Sequence, residues 1–396
     1  MEKKSLLNNK LFDDQSINNQ SICDQLLDNQ SVDSQSLENE SINDQSIDIS
    51  LIPPTSLDYL IHLTDDTGII QHTKYGIPNL KEGYCVDDNS RALLMAVMAY
   101  RQNKNQDTLK LISIYLSFID YMHLENGDFR NFLSYSRQYL DKYGSEDSFG
   151  RTIWALGYLI RFSPNDLFKQ MGKEMFINSV QHFISLKTIR GAANTIIGIY
   201  NYLKNTPNDE IMISEMSKLV KIIIEAYKKQ AKEGWKWFEP DMTYDNAIIP
   251  LSLFSAYEIV PDSEVLKIAK ESALFLESKT MRREHLTPIG NKGWFRHGGK
   301  IPENDQQAIE VVAMVLLYNK LFNITKKQIY RDKMYKCYLW FHGKNTLRLP
   351  LYDNETKGCC DGLEKQGINY NQGAESTLSF WISHLVVLSS QREKIL

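Results

Sequence analysis

Acidic side chains recur in this sequence in one setting: a polar loop, one or two Asp, Glu or Asn residues, often an Arg three or four positions on, and then an apolar run. Asp87, Asp88 and Arg91 form the first group, and Glu146, Asp147 and Arg151 the second. A later loop carries Trp235, Trp237, Phe238, Asp241, Tyr244, Asp245 and Asn246, and the next Trp294, Arg296, His297, Asp305 and Gln306. The last holds Asp353, Asp361, Asn369, Asn371, Gln372 and Glu375. Carboxylates and amides can fork pairs of sugar hydroxyls, and indoles stack on the apolar faces of pyranose rings. Glycoside cleavage needs two carboxyl groups flanking the bond, one protonated and one ionised. Acids from different loops can be spaced that way, whereas sequence neighbours such as Asp87 and Asp88 cannot face each other across a substrate. Asp88 and Glu375 are therefore the expected reacting pair. Asp88 beside Arg91 should stay ionised, and a partner buried near another carboxylate should keep its proton. Asp87, Asp147, Asp245 and Asp305 are alternates or hydroxyl binders. Arg91, Arg151, Asn246, Gln306, Gln372, Trp235, Trp294 and His297 are expected to line the pocket.

Plainer explanations exist for each residue. Asp, Asn and Ser before a helix act as N-caps, and acids in a first turn complement the helix dipole. The Trp cluster at 235–237 could equally be core, since Trp is highly buried on average. An N-cap, however, needs only one residue, and several loops carry two acids followed by an Arg. Other chemistries find less support. No GxGxxG follows a strand and no GxxxxGK[ST] occurs. The histidines form no HExxH, and Cys359-Cys360 lacks the spaced partners of a zinc site. No metal and no cofactor is expected.

The elements that must position these groups are helices. After residue 55 an apolar helix follows each polar loop, at 83–100, 144–160, 190–203, 244–258, 304–321 and 371–388. These six segments are nearly uncharged along their bodies, as helices buried on all sides should be. Between them lie five amphipathic helices with one charged face, such as 109–122, 213–230 and 263–279, and the short segment 56–63 makes a sixth. Twelve helices alternating buried and amphipathic predict an all-α fold, an (α/α)6 toroid in which six inner helices are ringed by six outer ones. The loops before the inner helices then converge on one end of the ring.

Residues 1–54 read differently. From Gln15 an apolar residue recurs every five positions, in a background of Gln, Asn, Ser and Asp. Period five matches neither a helical nor a strand face. The step resembles pentapeptide-repeat solenoids, but so few units make about two coils, and the composition favours disorder. Residues 1–50 carry three basic and ten acidic side chains, leaving the 55–396 body close to neutral. With no Lys/Arg block, neither nucleic acid nor a membrane surface is an expected partner. No stretch is read as the roughly 18 apolar residues of a membrane helix. The N-terminus lacks the apolar core of a signal peptide, and the five cysteines are odd in number and scattered, so a cytoplasmic setting is expected.

At GYCVDDNSRALL, EDSFGRTIWALG (146–157), NDQQAIE (304–310), LPLYDNETKGCCDGL (349–363) and NYNQGAESTLSFW (369–381) the chain resembles a bacterial family of six-hairpin, glycosidase-like proteins. Members of that family occur alone or as a C-terminal tail on family 4 glycosyltransferases, often beside genes for mannoside metabolism. The likeness covers roughly residues 55–390, and the motif of the sixth loop is its most specific part. The resemblance implies an oligosaccharide ligand, with mannose-containing chains favoured, and a glycosyltransferase or glycoside phosphorylase as a pathway partner. The chain itself has no room for a glycosyltransferase unit, because nothing in it alternates strand with helix. An enzyme of glycoside hydrolase type is thus the leading expectation. A non-catalytic glycan-binding accessory module is the alternative, and a sugar epimerase of the related toroid type is disfavoured by the scarcity of His in the six loops.

Overall fold

The computed structural model describes residues 52–392, and the five-residue repeat of the first fifty residues lies outside them. Twelve α-helices follow in order among the described residues: α1 (Asp58–Leu63), α2 (Val86–Gln102), α3 (Gln106–Met122), α4 (Glu146–Phe162), α5 (Asp166–Ser179) and α6 (Ile189–Asn205), then α7 (Glu210–Gln230), α8 (Ile248–Ile259), α9 (Ser263–Thr280), α10 (Ala308–Thr325), α11 (Gln328–Tyr338) and α12 (Ala374–Arg392). The even-numbered helices form the inner wall. Each packs on the next, α2 on α4, α4 on α6 and so on round to α12, which packs back on α2 and closes the ring. The odd-numbered helices lie outside, each against its inner partner, and α1 takes the outer position beside α12. This is the (α/α)6 toroid the charge pattern predicts.

Burial explains the two helix types. In α6 every residue from Arg190 to Leu203 is buried, whereas in α7 only Met212, Met216, Leu219, Ile223, Ile224 and Tyr227 are. The inner helix α10 departs from one expectation. By length and composition it is apolar enough to cross a membrane, but it stands as a wall of the ring with most of its surface covered by protein.

The walls meet most closely between α4 and α6, where a methyl group on Gly157 would collide with the Gly198 carbonyl. No side chain larger than hydrogen fits that crossing. Gly157→Ala is therefore expected to destabilise the protein by about 1–3 kcal/mol through overpacking, read as a lowered midpoint in denaturant unfolding.

Short strands, which the helical pattern does not announce, staple the loops at the mouth of the ring. The hairpin β1 (Thr73–Lys74) with β2 (Ile77–Pro78) lies in the loop before α2. There too lies β3 (Tyr84–Cys85), which pairs antiparallel with β4 (Phe132–Leu133) of the loop before α4. β5 (Asp241–Met242) pairs with β6 (Phe295–Arg296), tying the loop before α8 to the loop before α10. β7 (Gln306–Gln307), β8 (Gly362–Glu364) and β9 (Gly367–Asn369) form one three-stranded sheet joining the last two loops. The Glu146 carboxylate accepts the backbone N–H groups of Lys187 and Thr188 at 2.8 and 2.6 Å and so ties the second loop to the third. These ties link the first loop to the second, the second to the third, the fourth to the fifth and the fifth to the sixth.

Candidate active site at the mouth of the ring

The caps of the first inner helices free their acids for other work. Cys85 caps α2, Ser145 caps α4 and Thr188 caps α6, each accepting a backbone N–H through its side chain. Asp87 and Asp88 thus lie in the first turn of α2 with their carboxyls turned to the ring, where the helix dipole favours negative charge.

Arg91 organises the cluster. Its guanidinium is buried and ion-paired to Asp88 at 2.8 Å, to Asp87 at 3.1 Å and to Glu375 of α12 at 3.0 Å. Arg151 of α4 adds a second layer, bonding Asp87 through Nε and Asp245 at 3.3 Å. Beneath the arginines the ring interior is apolar and narrow, with a void of about 20 Å³ bounded by Leu94, Trp154, Ile248, Val312 and Ile382 among others. Water has little access from below, and this shapes the charge states. Burial opposes ionisation of Asp87, but the Arg151 and Arg91 guanidiniums hold its pKa below the usual range. At Asp88 burial wins: it raises the pKa to about 6, with Arg91 pulling down and Asp87 and Glu375 pushing up. Arg91 thus favours the ionised form of Asp88, as expected, but does not fully offset its burial. Asp88 is 4% exposed and Glu375 is the open member, its side chain 38% exposed.

An open cavity of about 400 Å³ lies above this cluster, within the range of about 300–1,000 Å³ common for ligand pockets. Asp87, Asp88, Arg91, Asp305, Gln306 and Glu375 of the expected site face it. Asp305 is ion-paired to Lys292 at 2.7 Å, and Gln306 donates to Thr346 and accepts from the Trp340 indole. The walls come from the first, second, fifth and sixth loops only, so convergence is narrower than the ring symmetry suggested.

Several expected pocket residues lie elsewhere. Trp235 is 2% exposed, its indole N–H given to the Glu239 carbonyl and its ring packed among Phe275, Phe295 and His297, so it is core. His297 is exposed outside the cavity, edge-on to that indole. Trp294 leans on Tyr244 at 6.3 Å between ring centres, and the Tyr244 hydroxyl donates to Asp147. Neither Trp294 nor Asp147 reaches the cavity wall. Gln372 is buried and spent on structure, bonding Asp353 at 3.1 Å and Thr356 at 2.8 Å. Arg151, Asp245 and Asn246 sit below the cavity floor rather than in it.

The residue sequence reasoning missed there is Glu310. It is buried in the first turn of α10 and accepts the backbone N–H of Asp245 together with the Asn246 side-chain amide at 2.9 Å. It anchors the Asp245-Asn246 turn just ahead of α8 and, through Asp245, braces Arg151. Burial raises its pKa to about 7, with the nearby Asp245 charge adding to the effect and the bonds from Asn246 opposing it. A carboxyl that holds its proton more tightly when folded favours the folded state below its unfolded pKa, and that advantage is lost as pH climbs through the folded value. Glu310→Gln cannot ionise, and its single amide oxygen can replace only one of the two oxygens that accept from Asp245 and Asn246. Thermal unfolding followed from pH 5 to 8 is expected to show a smaller fall in midpoint for this variant than for the parent chain.

Other cavity residues not foreseen include Gln71, His72, Asn131 and Lys292. Asp361, noted among the acids of the last loop but not placed in the reacting set, also faces the cavity. A lone acid in a mostly apolar helix was the available signal for Glu310, whereas nothing local marks Gln71 or His72.

In sequence the chain matches no family model and no curated protein. Its backbone is similar to that of a sugar epimerase from a ruminal bacterium, with a TM-score of 0.66, 11% identity, and 86% of this chain and 97% of the other covered. A GH76 alpha-mannanase from Bacteroides thetaiotaomicron matches with a TM-score of 0.64 at 10% identity, covering 88% of this chain and 99% of the other. An alpha-1,6-mannanase from Salegentibacter matches with a TM-score of 0.55 at 12% identity, over 83% of this chain and 95% of the other. That last structure is of an inactive variant with two consecutive aspartates replaced by asparagine, in complex with alpha-1,6-mannotriose. At these identities the likeness concerns the fold: the neighbours are (α/α)6 toroids.

Proposed function

We propose that the chain is a carbohydrate-active enzyme of glycoside hydrolase type, cleaving an oligosaccharide by carboxyl acid/base catalysis in the cavity at the ring mouth. The observation that carries this reading is one open cavity holding a partly exposed carboxylate gripped by an arginine, Glu375, beside two carboxyls whose burial favours the protonated form, the buried Asp88 and the half-buried Asp361. Glycoside cleavage asks for that division of protonation states. Amides at Gln71, Asn131 and Asn291 and the ammonium of Lys292 supply donors for hydroxyl groups around it. The Salegentibacter mannanase adds support, since consecutive aspartates are the residues replaced in its inactive variant and Asp87-Asp88 is the consecutive pair facing this cavity. Mannose-containing chains are the first substrates to try, and a glycosyltransferase or phosphorylase acting on the same oligosaccharide would be the natural pathway partner.

Epimerization has structural neighbours of its own. The expected proton-transfer groups of that chemistry are imidazoles, and His72 is the single imidazole among the described residues lining the cavity. The test is a panel of manno-, gluco- and galacto-oligosaccharides, with and without phosphate, followed by chromatography and proton NMR. Release of a sugar supports hydrolysis, and release only with phosphate supports phosphorolysis. A new epimer without release would replace the hydrolytic reading with the epimerase one. A thermal shift without turnover would leave an accessory glycan-binding module.

A further inference from the structure

Glycoside cleavage requires a carboxyl that can hand its proton to the leaving oxygen, and the carboxyls around the cavity differ in whether they can reach one. Asp87, Asp88 and Glu375 are all ion-paired to Arg91, and Asp305 to Lys292. Asp88 is further closed off: Oδ1 is held by Arg91 at 2.8 Å and Oδ2 accepts the Cys85 thiol at 3.1 Å. A donor with both oxygens engaged and 4% exposure cannot meet a substrate without breaking those bonds.

Asp361 is different. It faces the same cavity, half-buried, and has no ion-pair partner among the described residues. Its backbone N–H is fixed by the carbonyls of Asn371 at 2.8 Å and Asn369 at 3.2 Å. Oδ1 accepts the N–H of Gly373 at 2.7 Å, two residues before Glu375 in the first turn of α12, and both residues line the cavity. Burial raises the pKa of this carboxyl, the Gly373 N–H, the Ser376 side chain and His72 oppose the rise, and the nearby Glu375 charge adds to it.

From its place in the cavity wall without an ion-pair partner we propose that Asp361 is the proton donor of the site, protonating the leaving glycosidic oxygen while Glu375 acts as the base. The proposal rests on the hydrolytic reading above. As the C1–O bond breaks, its electron pair stays on the oxygen, which takes the Asp361 proton. Water forms the new bond to C1 and loses its proton to Glu375. Two free sugars leave, and exchange with solvent returns the proton from Glu375 to Asp361. Asp88 is then a positioning residue, holding Arg91 and through it Glu375.

The test compares Asp361→Asn and Asp88→Asn in the full chain on two substrates: the oligosaccharide cleaved in the panel, and the glycosyl fluoride of the same sugar, whose fluoride departs without a proton. Asp361→Asn keeps an acceptor for the Gly373 N–H. It is expected to lose about 10²–10⁴-fold on the oligosaccharide, to stay within about tenfold on the fluoride, and to lose the alkaline limb of its kcat/KM profile against pH. Asp88→Asn is expected to slow both substrates alike. If the parent chain is active and Asp361→Asn slows both substrates equally, or neither, the assignment to Asp361 is overturned while hydrolysis stands. A parent chain that cleaves neither substrate overturns the hydrolytic reading and the assignment with it.

Discussion

Glu375→Gln is expected to lower turnover of the cleaved oligosaccharide by about 10³-fold while leaving glycan binding and fold in place. Glutamine matches glutamate in volume and can still meet Arg91 through its amide oxygen, so the ion-paired geometry at 3.0 Å is the part least disturbed. What disappears is the capacity to take a proton. The side chain is 38% exposed and opens on the cavity, so the change reaches substrate directly rather than through packing. Steady-state kinetics should place the loss in kcat, with KM little altered, because an interaction made only in the transition state has been removed. A variant that keeps turnover within a few-fold of the parent would take the base role away from Glu375.

The second large effect concerns stability. Arg91→Met removes the one cation shared by Asp87, Asp88 and Glu375, two of which lie largely out of solvent. Breaking a buried pair from one side costs about 3–5 kcal/mol, since the partner charge is stranded in a poorly solvated place. Denaturant unfolding at neutral pH should show a loss of that size. Because the stranded groups are carboxyls, the deficit should shrink as pH falls and they take up protons. Arg91→Met combined with Asp88→Asn should recover part of it for the same reason. An Arg91→Met chain as stable as the parent at pH 7 would show that the cluster is solvated well enough to need no counter-charge.

The ring was readable because burial writes itself along the chain: an inner helix such as α6 carries no acidic residue, and an outer helix such as α7 carries charge on one face. The acids before the inner helices were readable for the same reason, as polar groups next to apolar runs. Rank within the set was not. Whether Asp88 or Asp361 can donate depends on which oxygens are already taken by Arg91 and Cys85, and those partners are set by tertiary contacts across the mouth. Trp235 shows the opposite error. An indole in a polar loop resembles a sugar platform, but the β5–β6 pairing brings Phe295 against it and makes it core. The strands escaped notice because two residues are too few to show alternation.

Closure of the ring has a temporal side. The helix that seals the wall, α12, is the last inner helix to be made, and it seals against the first, α2, with α1 beside it. The Arg91–Glu375 pair joins them at the mouth, so the carboxyl–arginine cluster and the seam of the ring are the same place. During synthesis Asp87, Asp88 and Arg91 emerge early and wait, half-matched, for a partner that follows Arg91 by 284 residues. Such long-range closure is slow to fold, and it leaves the early helices open to off-pathway association until it happens. A nascent chain halted before α12 would thus carry a mouth that lacks Glu375, and the carboxyl cluster is complete only when the ring is shut.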